Sequence, residues 1–232
     1  SGVWVVVVGM LPLSWGMLIS EGLQLDSPKV SRSHLERDSY YRKAKMLGYR
    51  ARSAFKLLQI EEEFGLLDRA ECVVDLCAAP GSWSQVVQSR LLPRNGTIVA
   101  VDVQRMKPLE GVIQIHGDIT SQDTLDKVRA HVKGKTCDVV VCDGAPDVTG
   151  LHELDRHLGE SLAMSAFEAA CQLLRSGGSF VVKIFREGSH ADFICSPMYS
   201  KMRSRFSQVF LRKPHSSRAT SHEHFVVCLE FN

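Results

Sequence analysis

A chain of 232 residues, 44% apolar and 23% charged, can bury a sizeable core and lies within the range of a single α/β domain, so no second domain is required. Net charge is only +2, yet residues 31–56 hold eight Lys or Arg against two Asp or Glu, a local +6 that leaves −4 for everything else. That places the positive field at the amino-terminal end of the domain, as on a phosphate-facing surface. Seven cysteines, an odd number without a CxxC pair, argue against a disulfide framework and for reduced thiols in a reducing, cytoplasmic compartment. His222 and His224 flank Glu223, but no third ligand cluster accompanies them, so no metal is expected.

Residues 3–19 carry no charge. The run is slightly short for a membrane span, is broken by Gly and Pro, and lacks a basic flank. It therefore reads as an apolar extension covering residues 1–30, not as an anchor or targeting signal, and no membrane partner is expected. The domain proper is assigned to 31–232. A helix-like segment at 50–63 is followed by Cys-Val-Val-Asp-Leu-Cys-Ala-Ala-Pro-Gly-Ser-Trp-Ser-Gln at 72–85. This is a buried strand, a tight Gly turn and a helix start, which is how a nucleotide-like cofactor is held. With neither GxGxxG nor GxxxxGK[ST], the turn is poorly suited to cradle a pyrophosphate or triphosphate. A cofactor without phosphates, S-adenosylmethionine, fits better.

Further strand-like runs follow at 97–102, 112–115, 137–142, 179–185, 207–211 and 224–229, with helix-like segments at 82–91, 121–132, 155–175 and 190–204. Early alternation of strand and helix implies a mostly parallel sheet covered on both faces, with the last two strands antiparallel. Two polar residues stand out against these runs. Lys183 sits inside Ser-Phe-Val-Val-Lys-Ile-Phe, where an unpaired ammonium suffers desolvation and a depressed pKa, a setting for a base. Asp143 ends the apolar run 139–142, at the carboxyl end of a strand, where open α/β sheets bind ligands.

Lys56 in Phe-Lys-Leu, Asp143 in Asp-Gly-Ala-Pro, Lys183 in Val-Val-Lys-Ile-Phe and Glu223 in Ser-His-Glu match in order and spacing a known tetrad. The chain from about 38 to 230 thereby resembles the FtsJ/RrmJ-like RNA ribose 2′-O-methyltransferases. The stretch Asp143–Leu154 is similar to the eukaryotic cytosolic branch that modifies the tRNA anticodon loop. The resemblance implies a Rossmann-like S-adenosylmethionine-dependent methyltransferase fold, with a seven-stranded, mostly parallel sheet flanked by helices. It implies methylation of the wobble nucleotide and the nucleotide two before it, with helper proteins selecting the nucleotide. The alternatives are an rRNA or mRNA-cap ribose methyltransferase and a catalytically silent RNA-binding module.

Within that frame, Lys183 is the expected base, Asp143 orients its amine, and Glu223 positions Lys56 or the ribose. The expected cofactor pocket comprises Asp75, Ala79, Pro80, Gly81, Trp83, Asp102, Asp118 and Asp143. Gly81 permits close backbone approach, and Trp83 begins a helix whose N–H groups meet the methionine carboxylate. Asp102 faces the ribose hydroxyls, and Asp118 by resemblance faces the adenine amine. Phosphate contacts are expected from Arg42, Lys43, Lys45, Arg50 and Arg52 on one side of the cleft, and from Arg212, Lys213 and Arg218 on the other. Ser216 and Ser217 match a family loop beside the acceptor ribose.

Overall fold

The protein is described here from a computed structural model covering residues 32–132, 136–146, 150 and 152–232, with side-chain surroundings given from residue 39 onward. These residues fall in one compact unit, Arg32–Asn232. The apolar extension 1–30 lies outside the described residues, as do Asp147–Thr149, Leu151 and the side chains of His152 and Glu153 in the stretch that carries the tRNA-branch resemblance.

Helices α1 (Arg32–Met46) and α2 (Ala54–Phe64) precede β1 (Cys72–Leu76), α3 (Ser82–Leu91), β2 (Thr97–Asp102) and β3 (Ile113–His116). Then come α4 (Gln122–His131), β4 (Cys137–Cys142), α5 (His152–Leu173), β5 (Leu174–Phe185), α6 (His190–Ile194), α7 (Pro197–Arg203), β6 (Phe206–Arg212) and β7 (Glu223–Phe231). The strands form one sheet in the order β3-β2-β1-β4-β5-β7-β6. All pairings are parallel except those of β7, which runs antiparallel to both β5 and β6. The chain order reverses between β1 and β4, and the crevice at their carboxyl ends is where such a sheet takes a ligand.

Strand periodicity sorts the side chains onto two faces. Val73, Ile98, Val139, Val141, Val181, Phe225 and Val227 meet Leu57 and Ile60 of α2 and Trp83, Val86 and Val87 of α3. Val74, Leu76, Val99, Val101, Val140, Phe180, Val182 and Val226 form the other face, under α4 and α5. Strands buried on both sides explain the near-continuous valine runs.

Three boundaries differ from expectation. Helix α1 has no apolar stripe to announce it; from residue 39 onward Ala44 is buried, and Tyr40 docks the helix on α2 with ring centroids 5.3 Å from Phe55. Strand β5 begins at Leu174 rather than 179, because a register shift between Cys137 and Val139 of its partner admits the extra residues around Gly177, whose φ is +76°. The segment 190–204 is two helices: Ser196 caps the backbone N–H of Tyr199 and Pro197 opens α7, so the first helix must end there.

Phe180 is fully buried at the centre of the α5 face, between Phe167 and Phe206 at 6.3 and 6.4 Å. Phe180→Ala is expected to cost about 3–5 kcal/mol of unfolding free energy. Urea titration should show a lower midpoint with an unchanged slope.

Candidate active site

Lys183 is in the last turn of residues of β5, and Asp143 follows β4, its parallel neighbour. The Lys183 Nζ donates to the backbone carbonyl of Asp143 at 2.6 Å and lies 3.0 Å from its Oδ1. The carboxylate contact is an ion pair outside hydrogen-bond geometry, which leaves Oδ1 buried with no hydrogen-bond partner among the described residues. The Lys183 and Asp143 side chains are only 9% and 15% exposed.

The second pair faces the first across the antiparallel ladder. Phe185 pairs with Glu223 and Lys183 with Phe225, so all four side chains stand on one face of the sheet. Helix α2 covers that face and brings Lys56, whose Nζ donates to Glu223 Oε2 at 2.7 Å. The two ammonium groups also lie over aromatic rings, Lys56 at 5.7 Å from the Phe225 centroid and Lys183 at 5.6 Å from that of Phe185. Burial pushes the Glu223 carboxyl up. Lys56, the nearby Ser217 hydroxyl and Lys183 together outweigh it and hold the group below the ordinary glutamate range. The four predicted residues are therefore two lysine–carboxylate pairs in one partly desolvated pocket.

The Gly turn after β1 lies at the adjacent strand end. Asp75 is fully buried; its Oδ2 accepts from the Ser84 hydroxyl at 2.6 Å, and its Oδ1 has no hydrogen-bond partner among the described residues. Asp102 accepts from Ala79 N at 2.7 Å and Gln104 N at 2.6 Å, bracing both loops at the strand ends. Asp118 is exposed, and its Oδ1 accepts from the backbone and hydroxyl of Thr120, both at 2.8 Å, which lowers its pKa. Ala79 and Pro80 line an open groove of about 460 Å³ together with Gln104, Met106 and Lys107. The Trp83 indole is buried, donating to Ser53 O at 2.9 Å and packing on Phe225, so only its backbone N–H group stands at the start of α3.

The expected phosphate contacts divide. Arg50 is corrected: its guanidinium donates to the carbonyls of Pro80, Lys107 and Pro108 at 2.8–2.9 Å, clamping the Gly turn to the β2–β3 loop. Arg212 is corrected as well, held by Glu63 at 2.6 Å and lying over the rings of both Phe64 and Phe210. Arg52 donates to Ser216 O at 2.6 Å and lies over Tyr40, and Lys213 donates to Ser221 O at 2.8 Å. Ser216 is buried and bound to Gln59, so it shapes the loop from within. Lys45 and Arg218 are exposed, as are Arg42 and Lys43, the latter with its ammonium over Phe55 at 5.3 Å. Sequence reasoning missed Ser84, Gln59 and the two phenylalanines beneath the lysines. The phenylalanines were legible, because Phe185 and Phe225 each lie two residues beyond a tetrad member and so share its face.

Among the described residues no three His, Cys, Asp or Glu side chains gather as a metal cluster, and no helix is long and apolar enough to cross a membrane. The larger cavity, about 620 Å³, includes Ile184, Met164 and Phe193, on the α5 side of the sheet.

A parallel sheet with a single reversed strand, a Gly turn after β1 and a polar cluster at the carboxyl ends of β4 and β5 define the Rossmann-like methyltransferase class. Residues 49–231 match the FtsJ-like methyltransferase family, and the chain belongs to it. It is 50% identical over 206 residues to the tRNA (cytidine(32)/guanosine(34)-2′-O)-methyltransferase of Schizosaccharomyces pombe, covering 85% of this chain and 70% of that protein. The Homo sapiens protein of the same name is 50% identical over 194 residues, 83% of this chain and 57% of its own. The chain thus spans little more than half of several relatives, 59% of the Caenorhabditis elegans protein and 58% of the Mus musculus one. A solved structure from Plasmodium falciparum, named as a ribosomal RNA methyltransferase, superposes with a TM-score of 0.67 at 26% identity, covering 79% of this chain and 98% of its own.

Burial raises the Asp75 carboxyl to about 7, the Ser84 hydrogen bond opposes it, and the charges of Asp143 and Asp102 add to the rise. The folded state then holds a proton that the unfolded chain releases near the ordinary aspartate value of 3.8, so stability falls as pH rises from about 4 to about 7 and levels off above. Asp75→Asn should remove that slope, gaining on the parent protein between pH 5.5 and pH 8 by an amount on the order of a few kcal/mol. Denaturant midpoints measured across this range check it; parallel pH profiles for the two proteins contradict it.

Proposed function

We propose that this chain transfers methyl groups from S-adenosylmethionine to ribose 2′-hydroxyls of tRNA, at the wobble nucleotide and the nucleotide two before it. The observation that carries the reading is the convergence of Lys56, Asp143, Lys183 and Glu223 on one face at the sheet's switch point, beside the Gly81 turn. The anticodon-loop target follows the names of the relatives at 50% identity.

The residues fit a cationic adenosyl cofactor. Asp75 Oδ1 and Asp143 Oδ1 are buried without a hydrogen-bond partner among the described residues, and Gly81 has φ +101°, a backbone conformation that residues with a side chain rarely adopt. Asp75, Asp102 and Asp143 would hold its polar groups, with Asp118 at the outer edge. When bound, S-adenosylmethionine supplies a methyl group already activated by a positively charged sulfur.

The chain's own part is orientation and one proton transfer. Lys183, once its ammonium has given up a proton to solvent, would accept the ribose 2′-hydroxyl proton at Nζ. The backbone carbonyl of Asp143 fixes the direction of that amine. Glu223 stays ionised at neutral pH, so Lys56 remains paired and fixed as a cationic neighbour that steadies the ribose. The Phe185 and Phe225 rings exclude water from the pocket wall.

Arg42, Lys43, Lys45 and Arg218 are the exposed cations offered to the phosphates, and helper proteins choose the nucleotide. Seven free thiols agree with a cytoplasmic compartment.

Labelled-methyl transfer to total tRNA and total rRNA, with a cell extract supplying helpers, tests the proposal. Label in alkali-resistant linkages of the tRNA anticodon loop is expected. Label confined to rRNA overturns the substrate, and absence of label on both overturns the activity.

A further inference from the structure

Cys77 and Cys142 bracket the reaction centre without taking part in it. Cys77 directly follows β1 and leads into the Ala78–Gly81 turn; Cys142 ends β4 and immediately precedes Asp143. The register of these neighbouring strands pairs Leu76 with Cys142, so Cys77 stands one residue beyond a direct partner. Neighbouring strands lie about 4.8 Å apart, so a residue one step beyond a direct partner stands close to the span that a disulfide bridges.

Cys77 packs against the cluster that contains Cys142, and a hydrogen bond between the two thiols, followed by burial, raises the Cys142 pKa well above the usual thiol range. Cys142 is buried, whereas Cys77 is half-buried and in the left-handed region at φ 54°. An oxidant therefore reaches one sulfur and finds the second behind it. A second strand-end pair, Cys72 and Cys137, is buried on both sides and offers no such entry.

We propose that Cys77 and Cys142 form a reversible dithiol–disulfide switch that disables the cofactor pocket. Peroxide oxidises the Cys77 sulfur to a sulfenic acid with release of water. The Cys142 sulfur then attacks it, forming the S–S bond and releasing a second water; a dithiol reductant returns both thiols. The consequence is mechanical. A Cβ placed on Gly144 would lie 2.8 Å from Cys77 Cβ and 3.0 Å from its Sγ, so the start of the β4–α5 loop is already in tight contact with Cys77. Drawing the two sulfurs together shifts the Gly81 turn and the backbone carbonyl of Asp143 that orients Lys183.

This rests on the cofactor pocket proposed above, so the test has a readout independent of methyl transfer. Protein treated with hydrogen peroxide is digested without reduction and mapped by mass spectrometry, and S-adenosylhomocysteine affinity is measured by calorimetry. A Cys77–Cys142 cross-link is expected, with affinity lowered at least tenfold, restored by dithiothreitol, and insensitive to peroxide in Cys77→Ser and Cys142→Ala. Cys195→Ser, lacking an exposed thiol, should behave as the parent protein. A Cys72–Cys137 cross-link in its place, no cross-link, or equal loss of affinity in both folded variants overturns the proposal. Failure of S-adenosylhomocysteine to bind the reduced protein would instead count against the cofactor assignment.

Discussion

Two ammonium groups buried against the same sheet face are the constraint around which this molecule is arranged. Lys56 and Lys183 would each be costly in such surroundings without a counter-charge, since isolated buried charge is paid back only by pairing and hydrogen bonding. Glu223 and Asp143 supply the pairing, and Phe185 and Phe225 supply ring faces beneath the cations. Every element nearby is needed for this to close. Strand β7 must run antiparallel to β5 to set Glu223 opposite Phe185, and α2 must cover that face to deliver Lys56.

The arrangement is asymmetric in a way that assigns work to each pair. Lys56 and Glu223 make a direct side-chain hydrogen bond, and Glu223 is held ionised by its neighbours. Lys183 hydrogen-bonds a backbone carbonyl, leaving the Asp143 carboxylate with an unused acceptor. A directly hydrogen-bonded pair therefore stands beside one held by an ion pair and a backbone carbonyl. Arg50 and Asp102 both brace the turn, so the proposed cofactor pocket is held by contacts to backbone groups.

Much of this was legible in the sequence. Valine runs fixed the strands because burial on both faces needs nothing else, and the Gly turn marked the switch point. Lys183 was readable because a lysine within Val-Val-Lys-Ile-Phe conflicts with its surroundings and demands a partner, and Asp143 because it ends an apolar strand; Lys56 and Glu223 were found through the family resemblance. What escaped was set by tertiary packing. Helix α1 has no apolar periodicity, and the β5 bulge depends on the register of β4. The roles of Arg50 and Arg212 were hidden for a different reason: a basic residue in a charged run looks the same whether it faces solvent or clamps carbonyls.

The central claim is that Lys183 moves the proton and has no other indispensable duty. Single-turnover methyl transfer and calorimetric S-adenosylmethionine binding, compared between the parent protein and Lys183→Ala, test it most directly. The account predicts a rate lowered by about 10²–10⁴-fold with cofactor affinity changed by no more than about threefold. A rate within about tenfold of the parent, at intact affinity, would contradict it.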